Sequence, residues 1–140
     1  MNSSAIDQLF VYGSLRSGFK SPAYEYIGRF FSFVSEAKVK GKLFDLGSYP
    51  GGVPAEDKFI IGELYKIKDR SEFSWAIGQL DDYEGINPGD NSNSLYRRQL
   101  VEVFIDNGLV PAWVYWYNGP VDDSPLIASG DILDYIKRRL

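Results

Sequence analysis

The chain contains no cysteine and no histidine in its 140 residues. Their absence excludes thiol nucleophiles, disulfides and Ser-His-Asp triads, and with them nearly all structural zinc sites. Any proton moved near neutral pH must pass through a carboxylate, a lysine, a tyrosine or bound water. Long apolar runs are also missing. No stretch approaches the length of a membrane span, and the opening MNSSAIDQ lacks the basic and apolar parts of a secretory leader. The expectation is a cytoplasmic protein with no membrane partner. Positive charge is scarce: 15 Lys and Arg stand against 19 Asp and Glu, for a net charge of -4. The basic clusters Arg97-Arg98 and Lys137-Arg138-Arg139 are short, so no nucleic-acid partner is expected.

What is present is an ordinary globular balance, 44% hydrophobic and 24% charged, over a length that suits one domain spanning residues 1–140. Ten tyrosines supply both core and hydroxyls for a polar pocket. The segment LFVYGSLRSGFKS, Leu9 to Ser21, joins an apolar run to a glycine-rich loop. It nearly spells the phosphate loop G-x-x-x-x-G-K-[ST], but Phe19 separates Gly18 from Lys20 and makes the pattern one residue too long. No strand ending in a magnesium-binding aspartate follows, which argues against nucleotide hydrolysis. A strand closed by Gly-Ser can instead present consecutive backbone N–H groups to a smaller anion such as a carboxylate. The plain alternative is a tight turn.

Leu9–Tyr12 reads as a short buried strand, and Ala23–Gly28 as a short helical turn. Val34–Leu46 alternates as a long strand with a bulge at Gly41. GSYPGGVPAED reads as a loop because of its prolines and glycines. FIIGELYKI is a strand whose interior Gly62 predicts a close backbone approach. Phe73, Ala76, Ile77 and Leu80 then form a helical apolar stripe, with Gly85 as terminator. Asn87–Ser94 is a polar loop. YRRQLVEVFI and LVPAWVYWYNG are strands joined by the turn Asp106-Asn107-Gly108, and a last helix is capped by Ser129 or Asp131. The order gives an α+β fold with a largely antiparallel sheet.

Within LDDYEG, Glu84 lies about 20° from the direction of Phe73 on the helical wheel, so the stripe that faces the core also points Glu84 inward. Asp82 falls on the solvent side and Asp81 between the two. Desolvation and the negative end of the helix dipole would both raise the pKa of an inward Glu84, which suits a group that takes and returns a proton. The alternative is a frayed last turn with Glu84 in water. Arg97 and Arg98 face opposite sides of their strand, so at most one can enter a cavity.

VYGSLRSG, GKLFDLGSYPGGVP, IIGELYKI, LDDYEG, YRRQLVEV and AWVYWYNG occur in an order that resembles the γ-glutamylcyclotransferase-like family. That family includes the γ-glutamylamine cyclotransferases and the plant AIG2-like proteins. The resemblance runs from about Leu9 to Gly130 and implies a small mixed, largely antiparallel β-barrel flanked by helices. By motif it assigns Tyr12, Gly13, Ser14 and Leu15 to the α-carboxylate end of a γ-glutamyl group, and Glu84 to the role of general acid/base. Tyr115 or Tyr117 would line the pocket. The implied reaction closes the γ-glutamyl group to 5-oxoproline and releases an amine, with a small-molecule γ-glutamyl substrate and no metal or other cofactor. Asn87–Ser94 looks like an insertion, and Ile132 follows SGD where tryptophan is common; both bear on the leaving group. Two other uses of the scaffold stay open: binding of a small metabolite without turnover, and amide hydrolysis by water.

Overall fold

The computed structural model describes residues 6–13, 22–47, 50–83 and 96–139. Five strands close into a barrel in the order β1-β3-β2-β4-β5. They are β1 (Gln8–Val11), β2 (Phe31–Asp45), β3 (Pro50–Ile67), β4 (Tyr96–Ile105) and β5 (Gly108–Tyr117). The helices are α1 (Pro22–Phe30), α2 (Phe73–Tyr83) and α3 (Ile132–Arg139). All neighbouring strands run antiparallel except β1 and β5, which meet in parallel at Leu9 and Trp113. The fold is therefore α+β around a mixed, mainly antiparallel barrel.

Alternation along the strands sorts side chains to two cores. Phe10, Val39, Leu64, Val114 and Trp116 fill the barrel, and Ile127 and Ile132 join the same cluster from beyond β5. On the outer face, Leu9, Val11, Tyr65 and Tyr115 pack against Ile27 of α1 and Ala76, Ile77 and Leu80 of α2. Each of the larger buried side chains contributes about 1.5–3 kcal/mol of transfer free energy. The expected stripe of α2 is thus the face that docks. Asp82 is exposed and Asp81 half-buried, as the helical period places them.

Helix α1 runs nine residues, longer than the turn expected from sequence. Pro22 opens it, where a missing N–H costs nothing, and Glu25 and Arg29 complement the helix dipole at its two ends. The Tyr26 hydroxyl donates to the carbonyl of Ala76, tying α1 to α2. At α3, the Asp131 carboxylate accepts from the N–H groups of Leu133 and Asp134, which makes Asp131 the cap.

The structure corrects the reading of GSYPGGVPAED as a loop. From Pro50 onward this segment is strand, because the second half of β2 supplies a partner: Gly41 to Asp45 pair with Pro54 to Pro50. The register shifts between Lys40 and Gly41, where the partner jumps from Phe59 to Pro54 and residues 55–58 bulge out of β3. Gly41 is required by contact: a Cβ there would stand 2.8 Å from the Val53 carbonyl oxygen and 2.9 Å from Ile60 Cδ1. Gly62 answers its expectation in the same way, since a Cβ would overlap the Val11 carbonyl oxygen.

Candidate active site

Of the residues singled out from sequence, Tyr12, Gly13, Tyr115 and Tyr117 lie in described segments, whereas Ser14, Leu15 and Glu84 lie outside the described residues. So do Gly85 and the Asn87–Ser94 loop.

Tyr12 follows β1 and turns its ring into the barrel, 5% exposed. Its hydroxyl donates to the Tyr115 carbonyl at 2.5 Å and accepts the Gly52 N–H at 3.1 Å. One phenol thereby fastens the end of β1 to both β3 and β5. The side chain is spent on structure, so what β1 can offer a ligand is the backbone that comes next, at Gly13. A Cβ on Gly13 would stand 3.3 Å from Pro50 Cγ, so glycine lets the chain pass close to the start of β3.

Pro50, Gly51 and Gly52 form the second wall. The Pro50 carbonyl accepts from the Tyr96 hydroxyl at 2.8 Å. A Cβ on Gly51 would meet Leu46 Cδ1 at 2.5 Å and the Tyr117 ring at 3.0 Å. Tyr117 is half-buried between Gly51 and Gly119, its ring edge-on to Tyr96 with centroids 5.6 Å apart. Gly13, Pro50, Gly51 and Tyr117 therefore share one end of the barrel. Sequence reasoning quoted YPGGVP but missed its place here. The signal was present in two glycines ahead of a proline, a composition that permits close approach of neighbouring groups.

The last turn of α2 is linked to these residues through Tyr115. The two tyrosines left open by the sequence differ: Tyr115 is 4% exposed, and its hydroxyl donates to Asp81 Oδ1 at 2.7 Å. Arg98 grips the same carboxylate with a fork, Nε to Oδ1 at 2.9 Å and Nη2 to Oδ2 at 3.2 Å. Its guanidinium also stacks 4.6 Å from the Trp113 ring centroid. Arg97 faces away and donates to Gln99 at 2.9 Å. Tyr115 thus joins the walls of the site: its carbonyl holds Tyr12 from one side, and its hydroxyl holds α2 from the other.

A separate hollow of about 460 Å³ opens where β2 and β4 splay apart, lined by Val39, Lys40, Gln99, Val101 and Trp116 among others. None of the described candidate residues lines it. Among the described residues no three acidic side chains converge as a metal site, and no helix is long and apolar enough to cross a membrane.

The end of β1, the glycine-rich start of β3 and the last turn of α2 are linked on one small barrel through Tyr12 and Tyr115, and comparison identifies the class of proteins that shares this fold. The model of the family "Gamma-glutamyl cyclotransferase, AIG2-like" matches residues 9–134, and the chain belongs to that family. It is 32% identical over 127 residues to a gamma-glutamylcyclotransferase family protein of Escherichia coli, covering 91% of this chain and 96% of that one. It is 33% identical over 110 residues to the gamma-L-glutamyl-butirosin B gamma-glutamyl cyclotransferase of Niallia circulans, covering 79% of this chain and 66% of that protein. Among solved structures, it superposes on a Bacillus subtilis protein with a TM-score of 0.68 at 26% identity, over 96% of this chain and 43% of the other. The family is one of transferase- or lyase-type enzymes.

Proposed function

We propose that the protein cyclises a γ-glutamyl amine or peptide to 5-oxoproline and releases the amine, with Glu84 as general acid/base. The observation that supports this most is the double engagement of Tyr115. Its hydroxyl ties down Asp81, three residues before Glu84, and its carbonyl ties down Tyr12, immediately before Gly13. The last turn of α2, which leads to Glu84 in sequence, and the end of β1, which leads to Gly13–Leu15, are thus both tied to one residue.

In this reading the backbone N–H groups following Tyr12, from Gly13 to Leu15, hold the substrate α-carboxylate, and the Ser14 hydroxyl adds a further donor. Tyr117 lines the pocket, while Tyr115 acts from beneath it. The substrate folds so that its α-nitrogen reaches its own γ-carbonyl carbon. Positioning of this kind is worth on the order of several kcal/mol of the barrier. The new C–N bond closes a five-membered ring, and the bond from the γ-carbon to the leaving nitrogen breaks. Glu84 accepts the proton lost by the attacking nitrogen and delivers it to the departing one, so charge and protons balance without a protein nucleophile. Loop N–H groups also steady the oxyanion of the tetrahedral intermediate.

The test is incubation with a panel of γ-glutamyl amines and peptides, with chromatographic detection of 5-oxoproline. Appearance of 5-oxoproline and free amine in equal amounts is expected. Free glutamate in its place identifies amide hydrolysis, and tight binding with no product identifies a metabolite-binding protein; either result refutes the proposal.

A further inference from the structure

The last turn of α2 is fastened to the barrel wall by an ion pair and a hydrogen bond that meet on one carboxylate. Asp81 places a negative charge near the helix C-terminus, where the dipole opposes it, and that turn carries no basic residue of its own. Compensation comes from outside the helix. Arg98 and Tyr115 are directly paired across β4 and β5, so both donors to Asp81 stand on one rung of the barrel wall. The ion pair is largely withdrawn from water, with the two side chains 26% and 21% exposed. Two-pronged pairing of a guanidinium with a carboxylate fixes orientation as well as distance. With the Tyr115 hydroxyl as a third contact, Asp81 has little freedom to turn.

We infer that Asp81 is a positioning residue, pinning the final turn of α2, which precedes Glu84 in sequence, to the Arg98–Tyr115 rung. The inference rests on the proposed role of Glu84 for its catalytic consequence, but the pinning itself does not. In this reading Asp81 acts through the helix and not on the substrate. It holds the helix end in one rotation about its axis, and a shift of about 1 Å in a reacting group can cost about a hundredfold in rate. The stacking of Arg98 on Trp113 keeps the rung rigid, since the guanidinium cannot follow the helix outward without leaving the indole.

The experiment uses the full chain with Asp81→Asn, which keeps the shape and an acceptor for Tyr115 but removes the charge. Arg98→Lys, which keeps the charge but removes the fork, is the second variant. Amide hydrogen exchange of residues 80–83 is read alongside turnover. Both variants should speed exchange in that turn about tenfold or more, with the core strands β3 and β5 protected as in the parent. For Asp81→Asn, kcat should fall about tenfold or more while KM stays within about twofold. Exchange unchanged in both variants overturns the pinning, whatever the reaction proves to be. Faster exchange with kcat unaltered overturns the positioning role. A parent protein that makes no 5-oxoproline refutes the proposed function instead, and exchange alone then decides whether Asp81 pins the helix. If Asp81→Asn does not fold, Arg98→Lys gives the same two readouts.

Discussion

Replacing Tyr12 with phenylalanine removes one oxygen atom and tests the joint on which the site depends. The ring stays in the barrel, so the transfer term is nearly unchanged. The cost comes from two buried hydrogen bonds that go with the hydroxyl, the one it donates to the Tyr115 carbonyl and the one it accepts from the Gly52 N–H. Each hydrogen bond lost costs about 0.5–1.5 kcal/mol, so two together should lower stability by about 1–3 kcal/mol. At this chain length, that corresponds to a fall in Tm of roughly 3–10 °C. Urea unfolding followed by circular dichroism gives the free energy, with the slope against denaturant expected to match the parent's. Because Gly52 and Gly13 flank the same end of the barrel, the variant's KM should also rise. A loss of less than about 0.5 kcal/mol would refute the reasoning, since it would mean that the hydroxyl does not hold β1, β3 and β5 together.

Three further expectations follow from other parts of the molecule. Gly13→Val places branched carbon beside Pro50 Cγ, which a Cβ alone would approach to 3.3 Å, and across the path of an anion to the loop backbone. Substrate affinity should fall about tenfold or more, and an unchanged KM counts against carboxylate binding there. Gly41→Ala forces a methyl to 2.8 Å from the Val53 carbonyl oxygen, and should cost about 1–3 kcal/mol in denaturant unfolding without altering KM. Asp69 caps the turn before α2, and the Ser71 hydroxyl, then the Ser71 N–H, hold its carboxyl below the ordinary range. A lowered folded-state pKa gives a stabilisation that is complete above the unfolded value of about 3.9 and lost as pH falls through the folded one. Asp69→Asn should remove that acid-limb dependence, and a stability profile that still falls identically below about pH 4 would contradict it.

What could be read from sequence was whatever local period determines. The docking face of α2 follows from the spacing of Phe73, Ala76, Ile77 and Leu80. The β4–β5 hairpin follows from Asp106-Asn107-Gly108, where Gly108 takes a φ of 135°. Gly62 signalled a close approach because glycine inside a strand has few other uses. The start of β3 was not legible. Pro50, Gly51, Gly52 and Pro54 erase the local strand signal, and the segment becomes strand only through pairing with β2. The bond between Tyr12 and Tyr115 spans 103 positions and depends on barrel closure, which no local pattern encodes. For the same reason the sequence could place Asp81 at the margin of the helix stripe but could not show what it meets. The choice between Tyr115 and Tyr117 needed the third dimension too: the two share a strand face, yet one hydroxyl is bound to Asp81 and the other ring lies beside Gly51.

The most direct measurement compares the parent with Glu84→Gln on one γ-glutamyl substrate, counting 5-oxoproline under saturating conditions. Glutamine keeps the size of the side chain and loses its basicity, so kcat should fall by about 10²–10⁴-fold with KM little changed. A glutamine variant that forms 5-oxoproline at the parent's rate would contradict the assignment of proton transfer to residue 84.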